Sequence, residues 1–258
     1  MYSDQELAGL YPQNYYAYQD LSRRASRYWE ILKSLLGMRT GTKDPNFSAP
    51  GRILDVGCGT GWFLANMRAR GWDTYGVEIS SEAARIGRQS AELNIKAGTI
   101  FDAGFAPNFF DYVRSNHSFE HMSRPNETLK ELHRILKPSG KLLIGVPNIE
   151  GANARFFRDH WWYLCAPVHT FHYSPRTLSL LLSKHGFTVE KVTYNSDYSG
   201  VLGSFQIWLN RNSKRTADQG WAYNNKFLRF VAQRIARAFD LFGLGDVIEI
   251  TARKADRL

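Results

Sequence analysis

The run Arg52-Ile53-Leu54-Asp55-Val56-Gly57-Cys58-Gly59-Thr60-Gly61 constrains this chain more than any other. An apolar strand leads directly into a loop with glycine at 57, 59 and 61. Glycine lets the backbone turn sharply and come into contact with a ligand, an approach that a Cβ would block. A dinucleotide loop spaces its glycines G-x-G-x-x-G, and its third glycine lets a helix set its N-terminus on a pyrophosphate. Here the third glycine comes one residue earlier and Asp55 opens the loop, which suits a ligand without phosphates. Glu78 ends the next strand, 21 residues after Gly57. A carboxylate in that place can accept both hydroxyls of an adenosine ribose.

Around this loop, strands and helices alternate. A helix runs from about Trp62 to Gly71, a strand covers Thr74–Glu78, and Ser80 or Ser81 can cap the following helix. The segment Ile95 to Phe101 comes next, then a strand around Tyr112–Ser115. A helix opening near Pro125-Asn126 buries Leu129, Leu132 and Leu136 and stops at Lys137-Pro138-Ser139-Gly140. Leu142–Val146 reads as a buried parallel strand. Ser174-Pro175 starts a helix that closes at His185-Gly186, and strands near Phe187–Tyr194 and Val247–Ala252 finish the sheet. Such alternation implies a doubly wound α/β sheet. Residues 1–50 read as a helical N-terminal cap and linker, and 51–258 as the main domain. Within it, 148–173 is a long aromatic, aperiodic connection expected to meet substrate. Residues 211–244 form a basic amphipathic helical insertion before the last strand.

At 258 residues there is room for one well-buried domain, and 43% hydrophobic with 14% aromatic residues excludes a disordered chain. Cys58 and Cys165 cannot build a disulfide framework and read as reduced thiols of a cytoplasmic protein. The polar start Met1-Tyr2-Ser3-Asp4 does not read as a signal peptide, and no run of about 18 apolar residues is present. The net charge is +9, of which ten Lys/Arg against five Asp/Glu from Arg211 onward supply +5.

The run ILDVGCGTG (Ile53 to Gly61) resembles the loop that binds S-adenosylmethionine (SAM) in class I methyltransferases, and Glu78 matches their ribose-binding acid. The resemblance continues through Phe110-Asp111-Tyr112-Val113, Phe119-Glu120-His121-Met122, Arg134 to Gly140, Val146-Pro147-Asn148 and Gly186-Phe187. It implies a Rossmann-like seven-stranded methyltransferase sheet with helices on both faces. It also implies SAM as cofactor, with Asp55 and the amides of Gly57, Cys58, Gly59 and Gly61 facing its methionyl part. Asn116, in the segment 115–117, would pass beneath the sulfonium, and Tyr16 of the cluster Tyr15-Tyr16-Ala17-Tyr18 would either close over the methionyl end or pack in the core of the N-terminal helix. Many relatives place an aspartate at the position of Thr99 for the adenine amino group. In this chain Thr99 and Asp102 compete for that role, the Ile100 amide can meet adenine N1, and Phe101 is an adenine wall or core.

Methyl transfer to a hydroxyl needs an in-line acceptor and a base for its proton, and neutral histidine suits the latter. The run His117-Ser118-Phe119-Glu120-His121 resembles a segment of the ubiquinone-biosynthesis O-methyltransferases, some of which present Glu-x-x-Glu-His as divalent-metal ligands. With His117 in place of the first Glu, the three side chains either ligate a metal or hold the loop by hydrogen bonds. The second role is adopted, with no metal assigned. His169, in Pro167-Val168-His169-Thr170-Phe171-His172, resembles a substrate-side histidine of bacterial methyltransferases and reads as a base or as a helix-capping structural residue. His169, His117 and His121 are thus the catalytic candidates. Trp161-Trp162 reads as an apolar lid, as a stacking surface for a sugar or aromatic ring, or as packing over the sheet edge.

From 225 to 242, Lys226, Arg229, Gln233, Arg234 and Arg237 share one side of a helical wheel, with Phe227, Leu228, Val231, Ile235, Phe239 and Phe242 opposite. This helix either packs on the domain with its basic face in water or lies on an anionic membrane. No recognition motif accompanies the charge, so nucleic acid is not the expected partner. The expected activity is methyl transfer from SAM to a hydroxyl of a small or lipid-linked acceptor. That acceptor is a saccharide or cell-surface glycan precursor, with a quinone precursor or other phenol as the alternative. The rivals are a nicotinamide dehydrogenase and a catalytically silent SAM-binding module. A cytoplasmic location, with peripheral contact at the inner membrane face, completes the reading.

Overall fold

A computed structural model describes residues 50–213 and 217–255. The helical cap expected before residue 50, Tyr16 included, lies outside the described residues. The described chain builds a seven-stranded sheet of order β3-β2-β1-β4-β5-β7-β6. Its strands are β1 Arg52–Val56, β2 Asp73–Glu78, β3 Asn94–Ala97, β4 Phe110–Asn116, β5 Leu136–Pro147, β6 Phe187–Tyr194 and β7 Val247–Lys254. The first five pair in parallel, and β7 runs antiparallel between β5 and β6.

Side chains alternate across a strand, so each inner strand feeds two apolar layers. Leu54, Val113, Leu142 and Ile144 join one core with Leu129, Leu132, Leu178 and Leu182. Ile53, Tyr112 and Leu143 join the other with Phe63, Leu64, Met67 and Ala84. Helices α1 Trp62–Arg68 and α2 Ser81–Ala91 therefore cover one face, and α3 Pro125–Ile135 and α5 Pro175–Lys184 the other. Ser80 Oγ accepts from the Ala83 amide to start α2, and Ser174 with Thr177 forms a capping box on α5.

Three local readings are corrected. Leu136 opens β5 instead of ending α3, because the main chain ahead of β4 takes the last helical carbonyls. Asn108 N donates to Arg134 O at 3.0 Å and Phe109 N to Ile135 O at 2.7 Å. Ser139 then adopts φ +57°, and the β4–β5 register shifts between Phe110 and Tyr112. The 148–173 connection is not wholly irregular, since α4 Ala152–Phe157 and two 3-10 turns lie within it. The insertion before β7 begins earlier than residue 211, with helix α6 Tyr198–Leu209, followed by α7 Trp221–Asn224 and α8 Lys226–Leu241.

Candidate active site

The crevice at the carboxyl ends of β1, β2 and β4 is the place where open α/β sheets take ligands. The glycine loop fills its floor, with φ of +76° at Gly57, +55° at Gly59 and +83° at Gly61. At Gly57 a Cβ would lie 2.1 Å from Ser118 Oγ, so only glycine lets the turn after β4 rest against the loop. The Gly59 amide donates to Glu78 Oε2 at 2.8 Å and the Ser80 amide to Oε1 at 2.9 Å. Burial pushes the Glu78 carboxyl up, opposed by these two amides.

Several loop groups expected to face a ligand are committed inside the protein. Gly57 N and Cys58 N both donate to Val77 O, at 2.8 and 3.2 Å, and Gly61 N donates to Cys58 O at 2.9 Å. The Cys58 thiol is buried, and burial, followed by the charges of Asp55 and Glu78, raises its pKa well above the usual thiol range. Asp55 is likewise not an open ligand. Its carboxylate is buried and takes Arg114 Nη1 at 2.9 Å on both oxygens. Asp55 and Arg114 are direct neighbours across β1 and β4, and the guanidinium also lies 4.3 Å above the Phe63 ring. The loop is thus left with little beyond its close-lying backbone to offer a ligand, since the Gly57, Cys58 and Gly61 amides are already bonded within the protein.

At the end where adenine was expected, Asp102 Oδ2 accepts from Thr99 N at 2.9 Å and from Thr99 Oγ1 at 2.6 Å. The two competing residues therefore form one closed turn. Ile100 is buried in the core, leaving only its main chain for a base, and Phe101 is a part-exposed ring with the Arg124 guanidinium 4.5 Å above it. Asn116 ends β4 with its side chain over Gly145, where a Cβ would lie 2.2 Å from Asn116 Oδ1. His117 follows at φ +52°, with its ring stacked on Tyr163 at 6.1 Å.

The turn Phe119–His121 carries the most charged part of the site. Glu120 is 1% exposed and neither carboxylate oxygen has a hydrogen-bond partner. Its Oε1 lies 3.6 Å from His117 Nδ1 and 4.0 Å from His121 Nε2. Burial opposes its charge, and the imidazoles of His117, His121 and His169 outweigh burial and hold the carboxyl below its usual range. The Glu120 carbonyl accepts the amides of Thr170 and Phe171, at 2.9 and 3.1 Å, which straps the aromatic loop to this turn. His169 packs edge-on to His121, ring centroids 4.6 Å apart. His121 Nδ1 sits 3.0 Å from Val168 O and His169 Nδ1 2.8 Å from Tyr163 O. Bonding to a carbonyl requires N–H at each Nδ1, so in the neutral rings each Nε2 keeps a lone pair. Burial brings His169 down to about 4.

Glu120, His121 and His169 each offer a ligand atom within 4.8 Å of the others. An orphaned, buried carboxylate among imine nitrogens calls for a cation, either a proton on an imidazole or a divalent metal. The third member of this set is His169, not His117 as the motif suggested, because the 3-10 turn and the strap bring the loop histidine in from the other side. Of the tryptophan pair, Trp161 is buried, and Trp162 packs on Gly203 and stacks on Tyr223, so Trp162 rests on the insertion helices and not over the sheet edge. The outer side of the same loop carries a cleft of about 470 Å³ lined by Phe156, Phe157, Arg158, His160, Phe205 and Trp208. Arg114 and Ser118 escaped the sequence reading. A charge inside the apolar strand Phe110–Ser115 was the available signal for the first, since a buried cation demands a partner.

A family model described as a methyltransferase domain matches residues 22–192. An O-methyltransferase of Aspergillus nomiae, rstn1, is 32% identical over 170 residues, covering 60% of this chain and 72% of that protein. A ubiquinone biosynthesis O-methyltransferase of Xanthomonas euvesicatoria is 28% identical over 220 residues, covering 77% of this chain and 89% of the relative. Among solved structures, a SAM-dependent methyltransferase from Archaeoglobus fulgidus superposes with a TM-score of 0.56 at 21% identity, over 87% of this chain and 94% of the other.

Proposed function

The chain belongs to the methyltransferase-domain family and is a SAM-dependent methyltransferase, and we propose that its acceptor is a hydroxyl on a small phenolic ring of the quinone-precursor type. The observation that carries a hydroxyl acceptor is the buried Glu120 carboxylate among His117, His121 and His169, on a turn that rests against Gly57 of the cofactor loop. The aromatic surround of that turn, Tyr163 and Tyr173 included, favours a ring over a saccharide. The relatives named as O-methyltransferases, one of them in ubiquinone biosynthesis, support the same acceptor class.

In the proposed reaction the acceptor oxygen forms its bond to the methyl carbon as the S–CH3 bond breaks, and the sulfonium leaves as a neutral thioether. The hydroxyl proton goes to His169 Nε2, whose Nδ1 is fixed on the Tyr163 carbonyl. The imidazolium so formed faces the Glu120 carboxylate, which is already charged and already desolvated. His117 and His121 position that carboxylate. Glu120, His121 and His169 would equally hold a divalent cation, which would supply Lewis acidity at the acceptor oxygen.

The test is labelled SAM with a panel of phenols and saccharides. Label on a phenol is expected, and label on saccharides alone overturns the acceptor. His169→Asn and Glu120→Gln are expected to lower kcat by about 10²–10⁴ with SAM affinity unchanged. Full activity in both variants removes the cluster from catalysis. Binding of SAM with transfer to no acceptor would leave a silent module instead.

A further inference from the structure

Helix α8 has its amphipathic character turned outward. If it packed on the domain, its wheel would bury Phe227, Val231, Ile235 and Phe242 and leave the basic side in water. The structure leaves all four exposed, while Leu228 and Phe239 of the same side, and Arg229 and Gln233 of the basic side, are half-buried. Ala232 and Ala236 are the buried residues, and Arg229, Gln233 and Asp240 turn toward the protein. Arg229 donates to Tyr223 O and lies over the Tyr198 and Tyr223 rings. Gln233 Oε1 accepts from the Tyr198 amide, and Asp240 accepts from the amide and hydroxyl of Ser196.

Left outside is a stripe at positions 227, 230, 231, 234, 235, 238, 241 and 242, which is one face of a helix along its whole length. Phe227 is 71% exposed, Phe230 57%, Leu241 86% and Phe242 80%. Lys226 and Arg234 stand exposed beside them, and the Arg234 guanidinium lies 5.1 Å over the Phe230 ring. The only acid in α8, Asp240, is spent on Ser196.

We propose that α8 is a peripheral membrane anchor that lays this stripe into the surface of an anionic bilayer. Aromatic rings seated at the headgroup level with cations beside them and no free acid match the chemistry of such a surface. A second copy of the chain fits less well. Pairing two stripes would bring Lys226 and Arg234 of each copy together, with no exposed acid in either helix to offset them. Among the described residues no helix is long and apolar enough to cross a membrane, so the contact lies on the surface and does not span it. The proposal stands apart from the choice of acceptor and would hold for a water-soluble one.

The full chain, sedimented with phosphatidylcholine vesicles and with vesicles that also contain phosphatidylglycerol, tests it. Binding is expected to the second kind alone and to weaken as salt rises. The double variant Phe230→Ser, Phe242→Ser is expected to bind about tenfold or more weakly, and Lys226→Gln with Arg234→Gln to mimic high salt. SAM affinity should be unchanged in both, which shows that the fold is retained. No binding to the anionic vesicles, or equal binding to both kinds, overturns the proposal. So does a dimer in light scattering that Phe230→Ser, Phe242→Ser dissociates, since the stripe would then belong to a second copy.

Discussion

The Gly59 amide donates to Glu78 Oε2 at 2.8 Å, tying the middle of the glycine loop to the tip of the neighbouring strand. With the Ser80 amide on Oε1, the carboxylate is held in place from both sides, each oxygen still with a lone pair to offer. The two halves of the proposed nucleoside site, separate in sequence, are thus one hydrogen-bonded unit. Such a unit is oriented before any ligand arrives, which lowers the ordering cost of binding.

Glu78→Ala should weaken SAM binding by two orders of magnitude or more, since two charge-assisted hydrogen bonds of about 1.5–3 kcal/mol each are removed. Calorimetry on a variant with a wild-type circular dichroism spectrum measures this. Undiminished affinity would detach Glu78 from the ribose.

Arg114→Met should destabilise the fold by roughly 3–5 kcal/mol, because it strands the buried Asp55 carboxylate without its cation. The paired change Asp55→Leu, Arg114→Met should recover much of that loss. Urea unfolding of the three proteins decides it, and a mild effect of the single change would show that the ion pair is dispensable.

Gly57→Ala should abolish SAM binding and disturb the Glu120 turn together, as its Cβ meets Ser118 Oγ and its φ is +76°. Gly104→Ala is the control, with φ +60° and nothing within 4 Å of the added carbon. If both behave alike in calorimetry, strain at φ alone accounts for the loss and the contact with Ser118 does not.

Asp246 gives a pH dependence of stability. Burial raises its carboxyl from 3.8 to about 6, with Asn153 and others pulling the opposite way. A carboxyl raised in the folded state binds its proton more tightly there than in the unfolded chain. Its contribution is full below about pH 4 and is lost as pH rises through about 6, on the order of 2–3 kcal/mol. Asp246→Asn should flatten that part of the profile, read as Tm against pH relative to wild type. Parallel profiles for the two proteins would contradict the assignment.

The strands, the caps at Ser80 and Ser174 and the glycine loop were legible because each rests on local rules: alternation, a side-chain oxygen at a helix start, glycine at positive φ. The end of α3 was not, because the carbonyls of Arg134 and Ile135 are taken by Asn108 and Phe109, which precede the helix by many residues. His169 was named from its motif, yet its place beside Glu120 and His121 depends on the strap from Thr170 and Phe171 to the Glu120 carbonyl.

The one-dimensional chain determined that an alternating α/β sheet would form and that its first loop would be a sharp glycine turn, since backbone freedom and side-chain period are properties of neighbours in sequence. Tertiary structure alone decided that Asp55 goes to Arg114, that His169 joins His117 and His121 around the buried carboxylate, and that α8 shows much of its apolar face to the outside. Each of these depends on which distant group reaches a desolvated charge or covers a helix face first, and no local pattern encodes that.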